Sequence, residues 1–365
     1  MNKKLNPERL KLARLRRKMT YSSLSDITGI STKSLAEYEK FDNLFSPTEQ
    51  NVELIANALN YPNDFFYGND VDFVESSTVS FRSLKKMKAA EQHAAEAAGS
   101  LGVILNTYFE SVFNLPECNL PDLRDYEPEA AAESVRELWG IGVKSISNMV
   151  HLLEVMGVRV FSLAENTLNV DAFSFWKSDI PFVFLNTQKT GERSRFDAAH
   201  ELGHLVLHKH GSPQGKQAED EADRFASALL MPRQTVIAAK MNFPTLEQVI
   251  KLKKHWKVSA KALVVRMKNL KLLTEWQYRT LMVEINSNNL HKSEINGIER
   301  ERSMLVDKML TALSLDKIGL TALSEKVSLP VEELSNLLFK VAVINGGNDS
   351  NKKNKSSANL TLVKN

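Results

Sequence analysis

The sequence predicts a mainly α-helical protein with a small α+β core set between helical regions. Three observations predict it. Apolar residues recur at helical spacing through most of the chain, and three short runs of strand character, 158–163, 170–176 and 181–185, lie together near its middle. At 365 residues the chain is also too long for one compact core, so it should divide. The expected division is 1–70, a bundle of short helices; 71–140, a helical connector; 141–240, the α+β core; 241–345, a C-terminal helical region; and 346–365, a tail rich in Asn, Ser and Lys that should be disordered.

Leu10, Ala13, Leu15 and Met19 mark a first helix, and Leu24 and Ile27 a second that stops at Gly29. Ser31 is the expected N-cap of a third, containing Leu35, Ala36 and Tyr38. Pro47 and Thr48 open a fourth through Val52, Ile55, Ala56 and Leu59. Short helices joined at a Gly-containing turn have the outline of a helix-turn-helix module. Residues 70–140 read as polar helix with an Ala-rich stretch at 89–98, ending in a loop marked by Pro116, Pro121 and Pro128. A helix stopped by Gly157 leads into the three strand-like runs. Helices at about 193–209 and 217–230 follow, the second closed by Met231 and Pro232. Helix returns after 244, with a second short-helix arrangement at 314–330.

Composition narrows the class. Hydrophobic residues make up 43% and charged residues 25%, ordinary for a water-soluble protein. Nothing approaches the roughly 18–20 consecutive apolar residues of a membrane span. The N-terminus is basic with no apolar stretch behind it, unlike a signal peptide. A single cysteine, Cys118, excludes an internal disulfide and a cysteine-rich metal site. These features together predict a cytoplasmic protein without membrane contact. Net charge is +3, yet residues 1–40 carry ten Lys and Arg against four Asp and Glu. That surplus suits a polyanion such as DNA, and equally a solvated helical face.

The chemistry lies in His200, Glu201 and His204. Histidines four apart project from one helix face with Cβ atoms about 6 Å apart, so both imidazoles reach one Zn²⁺. Glu201, one position round the helix, is placed to take a proton from water activated by that metal. A catalytic zinc needs a third protein ligand and an open position. The next helix offers four acids. Measured from its apolar stripe (Ala222, Phe225, Ala226, Leu229, Leu230), Glu219 lies about 50° off centre, and Asp223, Glu221 and Asp220 about 90°, 110° and 150°. Glu219 is therefore the expected ligand, with Glu221 on the flank. His208 cannot share the ion with His200, because eight residues of helix separate them by about 12 Å. It should close the pocket or hydrogen-bond a carboxylate. His93, His151, His210, His255 and His291 read as structural or surface residues.

The segment from Arg193 through Phe196 into 200–208, followed by Glu219 and the run 225–232, resembles helix-turn-helix proteins of the XRE type fused to an ImmA/IrrE-type metallopeptidase. Residues 170–176 and 181–186 are similar to that family's strands before the active-site helix, and Phe81, Arg82 and Ser83 to the piece after its DNA-binding module. The resemblance implies a gluzincin-like zinc peptidase core with ligands His200, His204 and Glu219 and general base Glu201. It implies a substrate too: a partner repressor encoded nearby, bearing a similar helix-turn-helix. By the same analogy the strand 181–185 should hold substrate by edge pairing. Asn186, His208 and Glu221 are candidates for supporting the ligands or touching substrate.

In an XRE-like module the third helix enters the major groove. Ser31, Thr32, Lys33 and Ser34 would face base edges, with Glu37 deeper in, while Arg16, Arg17 and Lys18 would meet phosphates. This sequence departs from the pattern: Ser22 and Ser23 stand where Gln is usual, and Glu39, Lys40 and Phe41 replace the usual exit of the third helix. Three uses stay open for the module: binding double-stranded DNA, docking a partner's similar domain, or serving as a scaffold. A palindromic DNA site would imply a homodimer. The rival to an enzyme is a DNA-binding or antitoxin-like regulator that keeps the zinc without hydrolysis. Glu201 favours the enzyme, because hydrolysis needs it and metal binding does not.

Overall fold

The computed structural model describes residues 4–41, 46–74, 80–81, 88–163, 172–186, 188–209, 215–290 and 292–339. Arg82, Ser83, His210, His291 and the tail 346–365 therefore lie outside the described residues. The fold is mostly helical with one small sheet.

Helix α1 (Pro7–Arg16) starts with proline behind an Asn6 cap whose side chain accepts from the Glu8 N–H. Thr20 and Ser23 form a capping box on α2 (Tyr21–Thr28), which ends at Gly29 in the left-handed region. Ser31 caps α3 (Thr32–Tyr38) and Thr48 caps α4 (Glu49–Leu59). After a 3₁₀ turn at Asn63–Tyr67 come the two-residue strand β1 (Ser80–Phe81) and the long helix α5 (Ala89–Val112).

Helices α6 (Pro128–Leu138) and α7 (Met149–Val155) precede strands β2 (Arg159–Leu163), β3 (Ala172–Lys177) and β4 (Ile180–Asn186). The sheet order is β1-β3-β4-β2, with β4 antiparallel to β3 and parallel to β2. One face is aromatic: Phe161, Phe173, Phe175, Phe182 and Phe184 stack on each other and on α5. The alanines of α5 are what let it lie close. A Cβ on Gly102 would stand 2.5 Å from the Phe184 ring, so only glycine fits there. The stretch expected as a polar connector is thus a core helix, with Ala94, Ala98, Leu101 and Leu105 wholly buried.

The opposite face carries α8 (Gly191–Leu207) and, beyond it, α9 (Lys216–Leu230). Helices α10 (Arg233–Ala238), α11 (Leu246–Trp256), α12 (Ala260–Asn269) and α13 (Glu275–Ser287) extend that second core. Helices α14 (Met304–Leu315), α15 (Leu320–Val327) and α16 (Val331–Leu337) instead return to the first core, beside the N-terminal helices and α5. The hydrophobic clusters therefore cut across the expected C-terminal region: buried residues of 246–290 pack with the metal-side core and those of 305–338 with the N-terminal one, while Phe339 returns to the metal side. The seam between them is tied by Arg195, buried in α8, which pairs with Glu301. Glu301 also accepts from the Met149 N–H at the start of α7.

Candidate metal centre

Thr190 caps α8 by accepting from the Arg193 N–H, and the helix is enclosed for almost its whole length. His200 and Glu201 are fully buried and His204 is 4% exposed. Helix α9 crosses at Gly203, where an added Cβ would come within 3.1 Å of Phe225 and 3.2 Å of the Ala222 Cα. That close approach carries Glu219, in the first turn of α9, to the two histidines. Its carboxylate oxygens lie 3.4 Å from His200 Nε2 and 3.3 Å from His204 Nε2, and the two Nε2 atoms are 3.0 Å apart. The three side chains offer donor atoms within 4.8 Å of one another.

The hydrogen bonds behind these atoms decide the tautomers. His200 Nδ1 faces Asp223 Oδ1 at 2.8 Å, so it carries the proton and its Nε2 presents a lone pair. A longer chain serves His204. Glu221 Oε2 accepts from His208 Nε2 at 3.0 Å, which leaves His208 Nδ1 to accept from His204 Nδ1 at 2.9 Å. His204 Nε2 is then also a lone pair. Two lone pairs and a carboxylate converging on one point repel each other unless a cation lies among them, so this donor set fits a metal ion.

Charge states agree with that fit. Burial pulls the His204 pKa down to about 4, keeping the ring neutral. Glu201 differs. Burial pushes its pKa up to about 7, against the lowering effects of His200 and of a hydrogen bond from Ser174. Ser174 Oγ donates to Glu201 Oε2 at 2.6 Å, while buried Glu201 Oε1 has no partner. One oxygen is anchored and the other is available for a proton.

Ser174 has no role in the sequence reading, and Asp223 appears there only as an acid passed over as a ligand. Asp223 sits one turn after Glu219 on α9, a four-residue spacing that marks it as a neighbour of the ligand. Ser174 is the polar member of the Phe173–Phe175 alternation on the side facing α8, a weaker signal. Of the other expected residues, Asn186 is buried at the end of β4, where its Oδ1 accepts from the Gln188 N–H and braces the turn toward α8. His93 is exposed, His151 lies beside Glu154, and His255 packs against Trp256.

Two expectations need correction. Strand β4 cannot pair with a substrate by its edge, because β3 and β2 occupy both of its sides. The strand beside Glu201 is β3, whose side away from β4 meets β1 at Phe173 and Ser174. Arg16 and Arg17 do not point outward for phosphate: both guanidiniums bond Glu333 of α16, Arg16 Nε at 3.0 Å, and Arg17 Nε also donates to the Leu59 carbonyl. Arg17 further lies over the Tyr61 ring. Ser31 Oγ caps α3 and contacts Ser34 Oγ at 2.9 Å, whereas Thr32 and Lys33 are exposed.

No helix among the described residues is long and apolar enough to cross a membrane. No curated protein matches the chain. Residues 153–268, from α7 through α8 and α9 nearly to the end of α12, do match a family model, that of the IrrE N-terminal-like domain of the M78 peptidases. This part of the chain, with its three converging donors, is similar to that domain of a metallopeptidase family.

Proposed function

We propose that the chain is a zinc-dependent endopeptidase that cuts a partner transcriptional repressor, with His200, His204 and Glu219 holding the ion and Glu201 acting as general base. The observation that carries this reading is the pair of oxygens on Glu201: Oε2 fixed by Ser174, Oε1 buried and unpartnered beside the three donors. Zinc, when bound, supplies Lewis-acid polarisation of the scissile carbonyl and makes water acidic enough to ionise near neutrality. Glu201 Oε1 takes the proton from the attacking water and returns it to the leaving amine. Asp223 and the His208–Glu221 pair hold the imidazoles in the tautomers that ligation requires.

For the N-terminal helices the reading is protein docking in preference to DNA. The arginines suited to phosphate are engaged by Glu333, and Ile27 and Phe41 are 59% and 65% exposed on this bundle. Exposed apolar side chains of that size suit a protein partner, and a repressor bearing a similar helical module fits the site.

The test is co-expression of the full chain with its genomic neighbours, in wild-type form and as Glu201→Gln. A discrete fragment of a neighbouring repressor should appear with the wild type and fall by at least about a hundredfold with the variant. Equal cleavage by both would refute Glu201 as the base. Cleavage of no neighbour by either would favour a regulator that keeps the metal without hydrolysis.

A further inference from the structure

The chain linking the N-terminal helices to α5 meets β3 at two described places, in antiparallel order. At one end Asp72 pairs with Lys177, the last residue of β3, at 3.0 Å. Val74 is buried, its N–H donating to Ser100 Oγ at 3.1 Å and its side chain lying over Gly99 of α5. The chain then reaches β1, where Ser80 stands opposite Ser174 and Phe81 opposite Phe173 in antiparallel register. With β4 on its other side, β3 has this one edge to offer, and β1 takes it at Phe173 and Ser174.

The position of that pairing is what matters. Ser174 is the residue whose hydroxyl holds Glu201. Paired strands lie about 4.8 Å apart, so the main chain at Ser80 is one strand step from the residue that anchors the general base. An extended peptide pairing with β3 would use the same backbone groups. The orientation is the antiparallel one that a substrate chain could share, and among the described residues the register takes in Ser174, the residue that holds Glu201.

We propose that Ser80–Phe81 is a built-in occupant of the substrate-pairing edge, and that a substrate must displace it before its peptide bond can reach Glu201. This rests on the peptidase reading of the site. Because the occupant belongs to the link between the N-terminal helices and α5, a partner that docks on those helices acts on a segment continuous with it. Docking and unblocking are thereby coupled through one stretch of chain.

The experiment measures pairing, with no hydrolysis involved. A fluorescent peptide with the sequence of residues 75–87 is titrated into the metal-free full-length chain, as wild type and as Ser80→Pro/Phe81→Pro, which removes the backbone donor that this pair of residues turns toward β3, whichever of the two carries it. The variant should bind the peptide at least tenfold more tightly than the wild type. Equal affinity for both, or no binding to either, would overturn the proposal. Hydrogen exchange on the unmodified chain guards against a misfolded variant: saturating peptide should speed exchange of the one amide of Ser80 and Phe81 that faces β3 and leave Phe173 and Ser174 protected. Unchanged exchange at Ser80 and Phe81 would also overturn it. A chain that behaves as proposed yet cuts nothing would remove the peptidase reading alone; a chain that cuts with an unresponsive edge would remove this one alone.

Discussion

Ser174 shows how much one hydroxyl can set. Held by β3 and buried, it donates to one oxygen of Glu201 and leaves the other for chemistry. Removing it lets the carboxylate turn, so Ser174→Ala should lower kcat about tenfold with KM changed less than twofold, as expected for a group that acts in the transition state. Ser174→Thr, which keeps the hydroxyl, should recover most of that loss. Equal falls in the two variants would mean that Ser174 only fills space. The histidines follow a similar logic, since each ligand nitrogen is defined by what its ring bonds on the far side. Asp223 serves His200, and His208 with Glu221 serves His204.

The elements that position these residues differ in how visible they are in sequence. Helix α8 and the candidate ligands are legible because four-residue spacing and the angle of Glu219 to an apolar stripe are local properties of a helix. The caps at Ser31 and Thr48 are local as well. Strand order is not. Nothing in residues 181–185 shows that both sides of β4 will be paired, and a two-residue strand such as β1 has no periodicity to read. The role of α5 is hidden for a related reason: its alanines look like a polar connector until the aromatic face of the sheet is laid against them. Gly102 gives a test at this scale. Gly102→Ala places a methyl group against the Phe184 ring and should destabilise the fold by about 1–3 kcal/mol, seen as a lower midpoint in thermal or urea unfolding. An unchanged midpoint would mean the α5–sheet contact is looser than described.

Across the whole molecule, the C-terminal helices close back on the N-terminal ones. Glu333 is 2% exposed and bonds both Arg16 and Arg17, over more than three hundred residues of sequence. A contact of that separation is invisible to any reading of local pattern, which is why the two arginines look available for phosphate in the sequence. Glu333→Ala leaves two cations poorly solvated and should cost roughly 3 kcal/mol. If α14–α16 then detach, hydrogen exchange should rise in 304–337 before it rises in α8. Uniform exchange in both regions would mean that the C-terminal helices do not open separately.

The central claim is a metal ion held by His200, His204 and Glu219 beside a base, Glu201, that is not itself a ligand. Metal content per chain, measured by atomic emission on protein purified with zinc supplied, tests it most directly. The account predicts one zinc per chain in the wild type and in Glu201→Gln, and almost none in Glu219→Ala. Full zinc in Glu219→Ala, or its loss in Glu201→Gln, would contradict it.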